Sequence, residues 1–147
     1  MEYTQKQIRS ALGLAQQTIR YWKSSLPPLA RKSGKTALFT VGEMLALSVV
    51  NHLVHDNKMD ISALTPVAEE LFKLCSRPLL FSRHETVIWI DLKEKTLAIA
   101  RDSKELPMDR VYLVIPVSQL WQQISEKLTE ADGLGEQKEL LPLAAVR

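Results

Sequence analysis

Apolar residues recur at helical spacing over the first seventy-five positions and crowd into short alternating or continuous runs after residue 85, so the chain changes character partway along. Thr4 followed by Gln7 is a capping box, in which the Thr hydroxyl accepts from a free backbone N–H while the Gln side chain reaches back. A first helix is predicted there, with Ile8, Ala11 and Leu12 inward and Gly13 ending it in a tight turn. A second helix is predicted from about Ala15 to Ser24, stopped by Pro27 and Pro28. Around that helix Trp22 and Ala15 fall on the side of Ile19, whereas Gln17, Arg20, Tyr21 and Ser24 fall on the other. One face can enter a core. The other carries an amide, a cation and a phenol, for which a core has no use. Two short helices joined by a turn containing Gly make a helix-turn-helix pattern.

Downstream, Leu29-Ala30 and Thr36 to Phe39 flank the polar link Lys32-Ser33-Gly34-Lys35, which reads as a basic hairpin, or wing. A second capping box, Thr40 with Glu43, opens a helix carrying Met44, Leu45, Leu47, Val50, Leu53 and Val54 and ending near Asn57. Asp60 or Ser62 can cap a fourth helix through Cys75, with Pro66 in its first turn. Arg77-Pro78 marks a boundary, because a residue before proline is pushed away from helix. Beyond it, "TVIWID" and "TLAIA" form a hairpin about Leu92 to Lys95, and "RVYLVIPV" supplies a third strand. Ser118 can cap a last helix with Leu120, Trp121, Ile124 and Leu128 on one face. The predicted class is α+β, with a helical unit over residues 1–76, a strand-rich module over 77–131 and a tail at 132–147.

Charge divides the chain at nearly the same place. Residues 1–36 hold seven basic groups and one acid, whereas the other 111 residues hold twelve basic and sixteen acidic groups. A basic N-terminal quarter points to double-stranded nucleic acid as partner, and the acidic remainder does not. No apolar run is long enough to span a membrane, and the lone cysteine, Cys75, makes no intramolecular disulfide, which fits a reducing cytoplasm. No phosphate-cradling glycine loop, nucleophile elbow or paired metal motif is present, so the chain reads as a non-enzyme without cofactor. His52 and His55, one turn apart, can be imagined with Cys75 or His84 as a metal site, but that spacing suits ordinary helix residues and no metal is expected.

The stretch "YTQKQIRSALGLAQQTIRYWKSSLPPLARKSGKTALFTVGEMLAL" resembles the winged-helix DNA-binding domain of the MerR family of bacterial regulators. The likeness rests on the Gly13-Leu14-Ala15 turn, the Thr18 to Trp22 block, the Leu26-Pro27 exit, the basic wing and Phe39 before the next helix, and it covers about half the chain. It implies that Gln16, Gln17 and Arg20 lie at or near DNA, that Tyr21 contacts phosphate, that Trp22 packs inside, and that Arg31, Lys32, Ser33 and Lys35 set the wing on the backbone; Thr18 and Lys23, on the same helix, are further candidates for the DNA contact. Ala15 departs from the family pattern, standing where a capping Ser or Thr is usual, and strands replace the family's long coiled-coil helix.

Both faces of "VIWI" are apolar, so the sheet needs cover on both sides, from the first domain or from another copy. Self-association is expected, through Ile88, Ile90, Leu113, Ile115, Leu120, Trp121, Ile124 and Leu128. Trp89, Tyr112 and Trp121 can also be imagined lining an effector pocket, although buried aromatics usually serve a core. The function expected is a dimeric, sequence-specific DNA-binding regulator, most simply a repressor. An excisionase-like architectural DNA binder and a protein-interaction adaptor are the alternatives.

Overall fold

The computed structural model describes residues 2–32, 34, 36–77 and 85–133, with side chains through residue 130. Ser33, Lys35, the 78–84 stretch with Pro78 and His84, and most of the expected tail lie outside the described residues. The architecture is α+β: six helices, a two-stranded pairing, and a three-stranded antiparallel sheet followed by the C-terminal helix.

A short strand, β1 (Glu2–Thr4), leads into α1 (Gln5–Leu12). Both halves of the Thr4–Gln7 capping box form, and Gly13 closes the helix with φ at 67°, the left-handed region that glycine enters without a Cβ penalty. Next comes α2 (Gln16–Ser25), whose N-terminal residue Ala15 has capping geometry but no side-chain hydrogen bond to give. Leu26 then takes an extended conformation and breaks the helix axis.

Here the structure corrects the expected hairpin. Pro27 and Pro28 end α2 but open a new short helix, α3 (Pro27–Ala30), because a proline ring presets the helical φ and its missing N–H is no loss in a first turn. Leu29, expected on a strand, is buried in the core. The strand β2 (Leu38–Thr40) therefore pairs with β1, placing Tyr3 opposite Phe39.

Thr40 and Glu43 make the second capping box at the start of α4 (Val41–Asn51), which continues into a π-helical turn, His52–Asp56, and stops at Asn57. The expected fourth helix is shorter than its pattern. Asp60 caps a 3₁₀ turn, Ile61–Ala63, through Ser62 N–H; Pro66 sits in a second, Thr65–Val67; and only then does α5 (Ala68–Cys75) begin. Proline lacks the donor that a continuous helix needs there and restricts the residue before it.

In the sheet, β3 (Val87–Asp91) is central, flanked by β4 (Thr96–Ala100) and by β5 (Leu113–Ile115), which pairs with Ile88 to Ile90 only. Then α6 (Val117–Gly133) packs across α1 and α4. Ser118 lies inside its first turn, and its hydroxyl donates to the Thr86 carbonyl at 3.4 Å. Ile88, Ile90, Ile115, Val117, Leu120 and Ile124 join Ile8, Trp22, Phe39 and the apolar residues of α4 and α5 in one continuous core. No described helix is long and apolar enough to cross a membrane.

Candidate nucleic-acid interface

The two faces of α2 differ as its periodicity requires. Ile19 and Trp22 are each 1% exposed and anchor the helix in the core, while Gln16, Gln17, Arg20, Tyr21 and Ser24 are exposed together on the opposite side. Thr18 is half-buried at the margin. Tyr21, at 58% exposure, is among the most exposed large apolar side chains described, so burial does not account for it. The Ser24 and Ser25 hydroxyls both donate to the Tyr21 carbonyl, at 2.6 and 3.3 Å, in the last turn of α2. Arg20 forms no ion pair with any described carboxylate.

Three contacts fix how α2 stands on the fold. Lys23 Nζ donates to Gln5 Oε1 at 3.3 Å, tying α2 to α1, so this lysine braces the helix pair. In the turn between them, Arg9 Nε donates to the Leu14 carbonyl and Asn51 Nδ2 to the Leu12 carbonyl, both at 3.3 Å. With the Asn51 amide oriented this way, its Oδ1 accepts from His55 Nδ1, and the His55 ring lies 5.8 Å from that of Trp22.

The basic segment after α3 is placed differently from its sequence expectation. Arg31 grips Glu69 with two nitrogens, at 2.7 and 3.1 Å, although both side chains remain largely solvent-exposed. The hydrogen bond and the neighbouring charge hold the Glu69 carboxyl below its ordinary range and the Arg31 guanidinium above its own. Lys32 donates to the Leu38 carbonyl at 2.8 Å, lies 3.1 Å from Glu43 and sits over the Phe39 ring. Both cations are engaged within the chain and brace β2 and α5. Glu69 was not singled out in the sequence, because it lies 38 residues from Arg31, and Glu43 was read there only as a capping residue, not as the partner of Lys32.

The side chains expected to join two copies are also placed elsewhere. Ile88, Ile90, Ile115, Leu120 and Ile124 are buried in the chain's own core, and Leu113, Trp121 and Leu128 are half-buried against it. The cover for that sheet face comes from the chain's own helices, the alternative that the two-sided apolar pattern left open. Cys75 is buried, and the apolar surroundings push its thiol well up. His52 pairs with Asp56 at 3.1 Å while His55 turns to Asn51, so the two histidines are directed to separate partners. A mixed cleft of about 700 Å³ opens beside β3 and the 109–113 stretch, with Asp91, Arg110 and Tyr112 on its walls.

No protein-family model matches the chain, and no curated protein sequence matches it.

Proposed function

We propose that the protein is a sequence-specific, double-stranded-DNA-binding transcriptional regulator that reads a two-fold operator as a pair of chains and represses by occupying it. One observation carries the reading: α2 is anchored through Ile19 and Trp22 and presents Gln16, Gln17, Arg20, Tyr21 and Ser24 together to solvent. A short helix fits a major groove, where Gln pairs with adenine and Arg with guanine edges, while hydroxyls and cations hold phosphate. In this reading α1, the Gly13 turn and α2 form the helix-turn-helix. The β1–β2 pair belongs to the winged part that the resemblance to the MerR family implies. Arg31 and Lys32 act chiefly as braces, which leaves Arg20 as the principal cation of the reading face.

Selection from random duplexes at two salt concentrations tests this. The expected result is a two-fold motif, with Arg20→Ala losing the motif at unchanged thermal stability. Each good bidentate base contact contributes about 1–3 kcal/mol of discrimination, so the loss should be roughly tenfold to a hundredfold on the motif and small on random DNA. Salt-sensitive binding without a motif would replace the proposal with an architectural role. Absence of binding would replace it with a protein-docking role for the same face.

A further inference from the structure

We infer that His55 is a further DNA-contacting residue, which takes up a proton at Nε2 when it engages a backbone phosphate beside α2. This role rests on the proposed DNA reading and adds to it a group from a different element. A groove of about 450 Å³ runs along one flank of α2, lined by Gln17, Thr18 and Tyr21 from the helix and by His55, Met59 and Asp60 from the segment against it. Gln17 and Tyr21 belong also to the exposed face of α2, so the groove starts at the edge of that face. A helix with its side chains is about 10–12 Å across, and the major groove is about 12 Å wide. A group just beside the reading face therefore meets the sugar–phosphate rail rather than a base edge. His55 is exposed at that position.

The hydrogen bonds behind the ring fix its tautomer. The Leu12 carbonyl can only accept, so the Asn51 group that faces it is the Nδ2 amide. Asn51 Oδ1 can in turn only accept, and the group bonded to it is His55 Nδ1, which therefore carries the hydrogen. Nε2 of the neutral ring is left with a lone pair, and no described group is hydrogen-bonded to it. In that form it cannot donate to a phosphate oxygen; as an imidazolium it can, and Nδ1–H keeps its bond to Asn51 in both forms. Protonation thus breaks nothing in the chain of contacts that holds α2. The neighbouring charges make it the condition for contact. Asp60 lines the same groove, and the Ser62 N–H that it accepts holds its carboxyl below the ordinary range, so the groove with a neutral His55 presents an anion to phosphate. One proton on His55 cancels that charge. Asp56 is taken up by His52, Arg20 and Lys58 lie outside the groove, and α2 brings to it only the amide of Gln17, the Thr18 hydroxyl, the Tyr21 phenol and Trp22.

The test is duplex DNA affinity of the full chain at constant salt, from about pH 6 to about pH 8, where histidine changes charge. Wild type is compared with His55→Gln and with His52→Gln, whose histidine lines a different cavity, between α1, α4 and α6. Thermal melting of each variant confirms that it is folded. Wild type and His52→Gln are expected to bind more weakly as pH rises, by at most about tenfold per pH unit, the limit for uptake of one proton. His55→Gln is expected to bind with little pH dependence and to match wild type only at the upper end of the range. Heteronuclear NMR of the free neutral chain should find the His55 hydrogen on Nδ1. Wild-type binding that is flat with pH overturns the role of His55 and leaves the DNA reading standing, as does a His55→Gln variant that keeps the slope or loses affinity equally at every pH. Proton-linked binding to duplex of any sequence keeps the role and replaces the sequence-specific reading. Absence of binding at every pH overturns both.

Discussion

Asn51, at the end of α4, donates from Nδ2 to the Leu12 carbonyl at 3.3 Å and so fastens α4 to the turn that sets α2 apart from α1. Its Oδ1 meanwhile receives His55, whose ring stands against Trp22. One amide therefore holds both the entrance to α2 and the histidine behind it. Asn51→Ala should lower stability by about 1 kcal/mol, the usual net contribution of a neutral hydrogen bond, as read by urea denaturation. On the proposed function it should also weaken motif recognition more than nonspecific binding, because α2 loses its fixed angle while Arg20 keeps its charge.

The Arg31–Glu69 pair predicts a pH effect with a definite sign. Hydrogen bonding to Arg31 lowers the Glu69 carboxyl from its ordinary 4.5 in the folded chain. A folded-state value below the unfolded one stabilises above the ordinary carboxylate range, and that contribution is lost as pH falls through the folded value. NMR titration should find the Glu69 midpoint low in wild type and restored to the ordinary range in Arg31→Gln. Glu69→Gln has a second consequence: it frees the guanidinium, and if Arg31 then reaches phosphate, the log–log salt dependence of DNA binding steepens by up to about one unit.

Ala15 offers a gain. Its backbone already has capping geometry, with φ at −72° and ψ at 154°, but it provides no acceptor. Ala15→Ser should stabilise by about 1 kcal/mol, and Thr4→Ala or Thr40→Ala should cost a similar amount, as thermal melting of the three variants would show.

Two glycines should resist substitution for different reasons. A Cβ on Gly42 would sit 2.6 Å from Ser76 Oγ and 2.7 Å from Ser76 Cα, where α4 begins against the end of α5. Since backbone cannot yield as a side-chain tip can, Gly42→Ala should cost roughly 1–3 kcal/mol through overpacking. Gly13 has open space around it and a positive φ, so Gly13→Ala should cost about 1–2 kcal/mol through conformation alone. Chemical denaturation measures both, and Gly13→Asn should recover part of the loss, because asparagine tolerates the left-handed region.

What the sequence disclosed was local. The two capping boxes, the Gly13 turn, the inward stripe of α1 and the β3–β4 hairpin each depend on residues a few positions apart, and each formed where its pattern stands. The misread features depend on distant partners. Pro27 reads equally as a stop for α2 and as a first turn, and only the burial of Leu29 decides for the latter. Three residues at Glu2–Thr4 carry no periodicity, so their pairing with Leu38–Thr40 left no signal. The basic stretch gave its charge count but not the glutamates that engage Arg31 and Lys32. Alternation in β3 told which residues share a face, yet which face is covered depends on how α5 and α6 pack against the sheet.

That packing of α6 bears on how the chain is made. Leu120 and Ile124 border the same small cavity as Ala11 and Leu12, about 200 Å³ between α1, α4 and α6. During synthesis the first helix leaves the ribosome more than a hundred residues ahead of the segment that covers its flank. Until then the flank of α1 and α4 that α6 covers stays open to solvent. The exposed face of α2 and the sheet are thus tied through one core, and a shuffled or truncated gene that kept only the first would encode a helix pair missing the wall that α6 provides.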